Sequence, residues 1–142
     1  MKPVKFSVAV VLRNLKGKVL AVQRPHDDEN LPNVWGQPAV SQKGNELPEE
    51  MAKRVGSEKL CCQIKPISFV GIKSKDRGEY ELMLMDIEST LVKGEPNVLN
   101  SLTTSTKYVD QKWTTDLSLF KDAAQKGSLC SQILLETNKI KY

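Results

Sequence analysis

The charged side chains with the most informative spacing lie in residues 44–62, GNELPEEMAKRVGSEKLCC. Apolar side chains recur every four residues in this segment, which predicts an amphipathic helix over residues 47–60. Glu58 and Lys59 then fall on the inward side, near the C-terminal end of the helix. An inward charge costs free energy unless it is paired, bound to a ligand or placed at the rim of a cleft. The pattern therefore indicates either an ion-binding site or a helix end from which both side chains reach water.

A second set of charges runs along one edge of the same helix. Glu50, Arg54 and Glu58 are four residues apart. Such a ladder is usually a solvated edge of mutually paired charges, and the alternative is that Arg54 holds Glu58 in position for chemistry. Asn45 is the predicted N-cap of the helix. Gly56 costs about 1 kcal/mol relative to alanine inside a helix, which indicates either close packing there or fraying of the C-terminal end.

The elements that position this helix are strands and shorter helices. A continuous β-branched run near the N-terminus is typical of a buried strand, and the turn from Asn14 to Gly17 returns the chain as a hairpin. The predicted strands are residues 6–12, 19–24, 64–73, 79–88 and a segment ending at Trp113, and the later helices are residues 116–126, capped by Asp116, and 128–140. This order predicts one α/β domain over residues 1–142, with a mixed sheet and a C-terminal helical segment at residues 116–140.

Residues 40–62 resemble the signature of the Nudix hydrolase family, G-x5-E-x7-R-E-U-x-E-E-x-G-U, in which U is a bulky aliphatic residue. Glu46, Arg54 and Glu58 match three of its charged positions. The positions that differ are Val40, Val55, Gly56, Lys59, Cys61 and Cys62. VLAVQRP, LPNVWGQPAVSQ and KYVDQKW also look like the family's second strand, the approach to the helix and the closing strand. The resemblance covers about residues 5–127 and implies the family's α/β/α sandwich, a mixed sheet flanked by helices.

The resemblance implies a hydrolase that cleaves a nucleoside diphosphate linked to another moiety, with Mg²⁺ or Mn²⁺ at an altered metal site. The implied catalytic residues are Glu58, Arg54 and Lys59. The implied metal ligands are Glu58, Glu46 and Glu50, since Mg²⁺ prefers carboxylate oxygens. Val55 offers no ligand, and the ammonium of Lys59 stands where a cation would lie. We therefore expect Lys59 to take over part of the charge stabilisation that a metal ion would supply.

An alternative is that the fold has lost catalysis and binds a nucleotide or another phosphorylated ligand as a regulatory module. Arg24, Lys43 and Lys59 would then hold the phosphates, while Trp35 either stacks on a base or anchors its own turn by packing. Acids elsewhere could complete a metal site, although each is more often a solvated turn residue. These acids are Asp27, Asp28, Glu29, Asp76, Glu79 and Glu81.

Composition limits the remaining classes of function. The formal net charge is +4, and the basic residues are spread along the chain, so nucleic acid is not the expected partner. The apolar run near the N-terminus is too short to span a membrane. Three cysteines without zinc or redox spacing are typical of reduced thiols in a cytoplasmic protein. The lone His26 has no predicted partner for catalysis, and the last helix could pack on its own domain or form a homodimer.

Overall fold

A mixed seven-stranded sheet forms the centre of the computed structural model, which describes all 142 residues. The strands are β1 (Val4–Arg13), β2 (Val19–Gln23), β3 (Trp35–Gly36), β4 (Ala39–Ser41), β5 (Gln63–Asp76), β6 (Glu81–Lys93) and β7 (Asp110–Thr114). Strand β1 pairs in parallel with β6 on one side, and antiparallel with β2 and β4 on the other. β5 and β7 pair antiparallel with β6 and β2, respectively. The central position of β6 agrees with its apolar sequence.

The apolar run of β1 is continuous because both faces of the sheet are covered. Val8, Val10 and Leu12 belong to one buried cluster, which includes the apolar face of the first helix. Ala9 and Val11 face the other side, where the C-terminal helices pack. Alternate side chains of a strand point to opposite faces, so a run without polar interruption requires a layer on each side. The result is the predicted α/β/α sandwich.

The helix predicted over residues 47–60 has two parts. Helix α1 (Pro48–Arg54) continues into a π-helical segment (Val55–Leu60). The predicted N-cap at Asn45 is wrong: the cap is Leu47, whose amide N–H donates to Oε1 of Glu50 at 3.0 Å. Leucine cannot cap through its own side chain, and the first-turn glutamate satisfies the exposed amide instead.

Close packing explains Gly56 in the π-helical segment. A Cβ at this position would lie 2.9 Å from the carbonyl oxygen of Cys62 and 2.9 Å from Cγ1 of Ile64. The segment ends at Cys61, which adopts the left-handed backbone conformation with φ 55°. That conformation favours glycine, and Cys61 occupies the position of the glycine in the Nudix signature.

The C-terminal segment is less regular than predicted. Asp116 caps a 3₁₀ turn (Leu117–Phe120) through a bond from the amide of Ser118, and α2 (Lys121–Gln125) follows. Helix α3 (Leu129–Thr137) ends before Ile140, and its residues Leu129, Ile133 and Leu134 are buried against the sheet of the same chain. Packing within the domain therefore accounts for this apolar face. No helix has the length and apolar character needed to cross a membrane.

Candidate ligand-binding pocket

Arg54 connects the start and the end of residues 40–62, which we call the signature-like segment. Its Nε and Nη2 donate to the two carboxylate oxygens of Glu46 at 2.8 and 2.9 Å, and its Nη1 donates to Oε2 of Glu58 at 2.7 Å. Nη2 also donates to the carbonyl oxygen of Ser41, at the end of β4, at 2.6 Å. The bond from Arg54 lowers the pKa of Glu46, and the same bond raises the pKa of Arg54. The guanidinium therefore fixes the turn, the helix and the sheet relative to one another.

The ammonium of Lys59 lies inside the protein, with only 3% of the residue exposed. It donates to the backbone carbonyl oxygens of Ser105 and Thr106, the latter at 3.1 Å, and lies 5.7 Å from the ring centroid of Tyr108. Burial lowers its pKa, and the neighbouring carboxylate of Glu58 opposes that shift. The sequence-based alternative in which Lys59 reaches water is therefore wrong, because the loop before β7 folds over the ammonium.

Several predicted site residues line one cavity of about 410 Å³, which we call the cationic pocket. Arg24, Lys43, Arg54 and Lys59 supply its positive charges, and Glu58 supplies its single carboxylate. The Nζ of Lys43 lies 3.4 Å from Oε1 of Glu58. The side chain of Glu58 keeps 27% of its surface exposed, so a ligand in the pocket can reach it.

Arg24 follows β2 and lies where three cavities meet. It lines the cationic pocket, a cavity of about 740 Å³ beside the loop 25–30, and a cavity of about 330 Å³ beside β6. Its Nη1 is 3.3 Å from Oδ2 of Asp28, which also accepts the amide N–H of Leu31 at 2.8 Å. Asp28 therefore acts within the loop, holding both its backbone and the arginine.

The carboxylates predicted to bind metal do not converge. Glu46 is engaged by Arg54, Glu50 accepts the amide of Leu47, and Glu58 is paired with both Arg54 and Lys43. Glu50 lines a different cavity, on the outer side of the helix. No group of three or more histidine, cysteine, aspartate or glutamate side chains could hold a metal ion. A divalent ion needs several oxygen ligands without competing cations, so the residues present do not fit a family-type metal centre.

The other predicted acids also lie apart from the cationic pocket. Asp27, Asp28 and Glu29 line the cavity beside the loop 25–30, together with His26. Asp76 is the last residue of β5, where its carboxylate pairs with Lys2. Asp27, Glu29 and Asp76 are exposed, as is typical of solvated turn residues, whereas Asp28 is mostly buried by its bonds within the loop.

Trp35 lies outside the cationic pocket. It pairs with Gln23 in the sheet and packs against the cluster formed with α2 and α3. The ammonium of Lys112 lies 4.9 Å from its ring centroid. This environment agrees with the packing alternative, since the ring packs against the buried cluster and already has a cationic neighbour at one face.

The wall of the pocket opposite the helix is a segment that sequence reasoning did not identify. Residues 102–106 line it with a run of hydroxyl side chains from Thr103, Thr104, Ser105 and Thr106. Tyr108 forms part of the floor: it is 3% exposed, and its hydroxyl accepts the amide N–H of Ala39 at 3.0 Å. Burial raises the pKa of Tyr108 to about 12. The only signal in the sequence was the density of Ser and Thr in SLTTSTK.

No protein-family sequence model matches the chain, and a comparison with curated proteins finds no significant relative. Solved structures match it over almost its whole length. A MutT protein from Methanosarcina mazei superposes with a TM-score of 0.73 at 16% identity, covering 97% of this chain and 95% of that one. The E. coli ORF135 protein gives 0.71 at 13% identity, with coverages of 96% and 92%. A Nudix hydrolase from Nitrosomonas europaea gives 0.70 at 19%, with coverages of 97% and 89%. The chain therefore has the α/β/α fold of the Nudix hydrolases.

Proposed function

We propose that the cationic pocket binds a small phosphorylated ligand of the nucleoside diphosphate class, and that protein cations rather than a divalent ion neutralise its phosphates. The observation that carries this proposal is the composition of the pocket. Four cationic side chains and one carboxylate line the pocket, while Glu46 and Asp28 neutralise Arg54 and Arg24 from outside its lining. The pocket therefore keeps one positive charge in excess, and Lys59 is the cation in it that has no carboxylate within ion-pair distance. A cationic excess in a concave, partly enclosed site favours an anion, and the paired arginines can exchange a carboxylate oxygen for a phosphate oxygen.

Each cation has a different role in this proposal. Nη1 of Arg24 is engaged by Asp28, and the other N–H groups of its guanidinium can donate to phosphate oxygens. Lys43 has 69% of its side chain exposed and can swing onto a ligand. Lys59 has three N–H donors, of which two are directed to the carbonyl oxygens of Ser105 and Thr106, so one donor is left for a phosphate oxygen. The hydroxyl groups of the opposite wall supply neutral donors.

Hydrolysis of the bound diphosphate is the second candidate function. Two observations favour it: the fold, which in the similar structures belongs to hydrolases, and the partly exposed carboxylate of Glu58 inside the pocket. A carboxylate near a bound diphosphate can orient a water molecule or accept its proton. Arg54 would act as a positioning residue because it fixes one oxygen of Glu58 and leaves the other toward Lys43.

The primary test is calorimetric titration of the protein with ADP in excess EDTA. We expect saturable binding, with a Kd that does not fall when EDTA is replaced by Mg²⁺. Lys43→Gln should raise the Kd roughly fivefold, as expected for about 1 kcal/mol from an exposed charge pair. Lys59→Met should raise it more because its charge is buried. Lys53→Gln, on the exposed face of the same helix, is the control for loss of one charge.

Two results separate the candidates. Binding that appears only with Mg²⁺ would overturn the proposal that protein cations replace the metal. Release of phosphate from a nucleoside diphosphate derivative, lost in Glu58→Gln while ADP binding is kept, would establish the hydrolytic candidate.

A further inference from the structure

A second group of cations lines the cavity of about 330 Å³ that adjoins the cationic pocket. We call it the adjoining cavity. Lys5, Arg24, Arg77 and Lys126 all line it, and no carboxylate does. Its remaining wall includes the apolar side chains Leu31, Ala39, Leu82 and Leu84 and the ring of Tyr80. The cavity thus combines an apolar surface with a cationic far end, and it is joined to the cationic pocket through Arg24 and Thr106.

The fold collects these cations from distant parts of the sequence. Lys5 lies at the start of β1, which pairs in parallel with β6. Arg77 lies in the turn between β5 and β6, and its Nη2 donates to the carbonyl oxygen of Gly127 at 3.1 Å. Lys126 follows α2. The parallel pairing of β1 and β6 therefore places the start of β1 beside the hairpin turn, at one end of the sheet. The bond from Arg77 to Gly127 brings the α2–α3 junction to the same end.

Two of these cations have no acidic partner. Arg77 and Lys5 make no ion pair, and the ammonium of Lys5 lies 5.6 Å from the ring centroid of Tyr80. Lys126 pairs only with Asp122 at 3.2 Å, on the solvent side, where both side chains are more than half exposed. Like charges gathered without counter-charges repel one another, and an anion placed among them removes that cost.

We infer that the ligand carries a second anionic group, bound by Lys5, Arg77 and Lys126, in addition to the phosphates in the cationic pocket. The apolar wall of the cavity would hold the nucleoside, since Ala39, Leu82 and Leu84 offer surface and no charge. The inferred ligand class is a nucleoside diphosphate with a further phosphate on its sugar. This inference rests on the proposed function, because the first phosphates must occupy the cationic pocket.

The test compares two ligands that differ only in the second anion. ADP and adenosine 3′-phosphate 5′-diphosphate are titrated into the protein in EDTA. We expect the second compound to bind at least tenfold more tightly. The double variant Arg77→Gln, Lys126→Gln should abolish this preference and leave the Kd of ADP unchanged. Its matched control is Lys16→Gln, Lys93→Gln, which removes two exposed lysines near the opposite end of β1 and should keep the preference.

The outcomes distinguish this inference from the proposed function. Saturable binding of ADP with no gain from the 3′-phosphate overturns the second subsite alone. The second subsite is also overturned if the 3′-phosphorylated nucleotide keeps its tighter binding in the Arg77→Gln, Lys126→Gln variant. It is overturned as well if the control variant loses that preference equally, because the preference would then reflect net charge. Failure of both nucleotides to bind contradicts both proposals. Both substituted residues are exposed, and thermal unfolding of each variant checks that the fold is intact.

Discussion

At the scale of single residues, Lys59 changes what the end of the signature-like helix attracts. A glutamate at this position would attract cations, whereas an ammonium attracts carbonyl oxygens. Here the ammonium donates to the carbonyl oxygens of Ser105 and Thr106. The pocket wall is consequently tied to the helix by a side chain. Lys59 thus contributes both to the charge of the pocket and to the anchoring of the loop that closes it.

Asp86 is a second residue whose environment has a measurable effect. It is fully buried on β6, its Oδ2 accepts Nε2 of Gln37 at 2.9 Å, and its Oδ1 has no partner. Burial raises its pKa well above the ordinary range, and the bond from Gln37 opposes that shift only in part. The thiol of Cys130, the other titratable group facing it, also has a raised pKa because of burial, so it stays neutral near pH 7.

We expect the contribution of Asp86 to the free energy of unfolding to fall as the pH rises above about 4, the ordinary pKa of an aspartate. The folded state binds more protons than the unfolded state in this range, so the stabilisation is complete below the unfolded pKa and is lost as the pH rises through the folded one. Asp86→Asn should remove this dependence while keeping an oxygen for Gln37. Urea unfolding of both proteins between about pH 4 and pH 8 measures it, and Asp110→Asn on the surface is the control. Parallel pH profiles for wild type and Asp86→Asn would contradict the assignment.

At the scale of elements, the first helix ends in a π-helical segment that contains both Glu58 and Lys59. The sequence predicted a continuous helix at 100° per residue, and this spacing correctly placed Arg54 beside Glu58 because the two are one turn apart. It could not predict the widened turn after Arg54, since that turn depends on how the segment fits against Cys62 and Ile64. Nor could it predict the partners of Lys59, which lie more than 40 residues away.

Gly56 provides the test of this packing. Gly56→Ala should lower the free energy of unfolding by about 1–3 kcal/mol, the usual cost of overpacking a core, despite the better helix propensity of alanine. The added Cβ would meet backbone and β-branched atoms that cannot easily move. Urea unfolding gives the value, and Ser57→Ala at the next, exposed position is the control for helix propensity. A stabilised Gly56→Ala variant would show that the segment has room.

At the scale of the whole molecule, the predictable part was the layered architecture. The unbroken apolar run of β1 predicted that helices pack on both faces of the sheet, and the order of strands and helices in the sequence agreed with such a sandwich. The adjoining cavity could not be predicted, because Lys5, Arg77 and Lys126 become neighbours only through the parallel pairing of β1 and β6 and the contact of the hairpin turn with Gly127. The prediction that Asn45 caps the first helix was wrong for a local reason, because Glu50 accepts the amide N–H of Leu47 instead.

The charge of the molecule leads to a further expectation. With a formal net charge of +4 and two cation-lined cavities, the Kd of ADP should rise several-fold between about 50 and about 500 mM NaCl, because salt screens charges beyond about 10 Å at 0.1 M. Titrations at constant pH measure the slope. The Arg77→Gln, Lys126→Gln variant should show a shallower slope for the triply phosphorylated nucleotide. A Kd independent of salt would contradict an electrostatic basis for recognition.

The cavities draw their walls from the first strand, the hairpin turn, the signature-like helix and the loop before the last strand. Neither cavity exists in an unfolded chain, so any molecule that fits them binds the native state alone. Mass action then adds about 2.7 kcal/mol to native-state stability when the free ligand is at a hundredfold its Kd. Thermal unfolding can therefore rank candidate ligands: at equal concentration, the compound that raises the melting temperature most is the one that binds the native state most tightly.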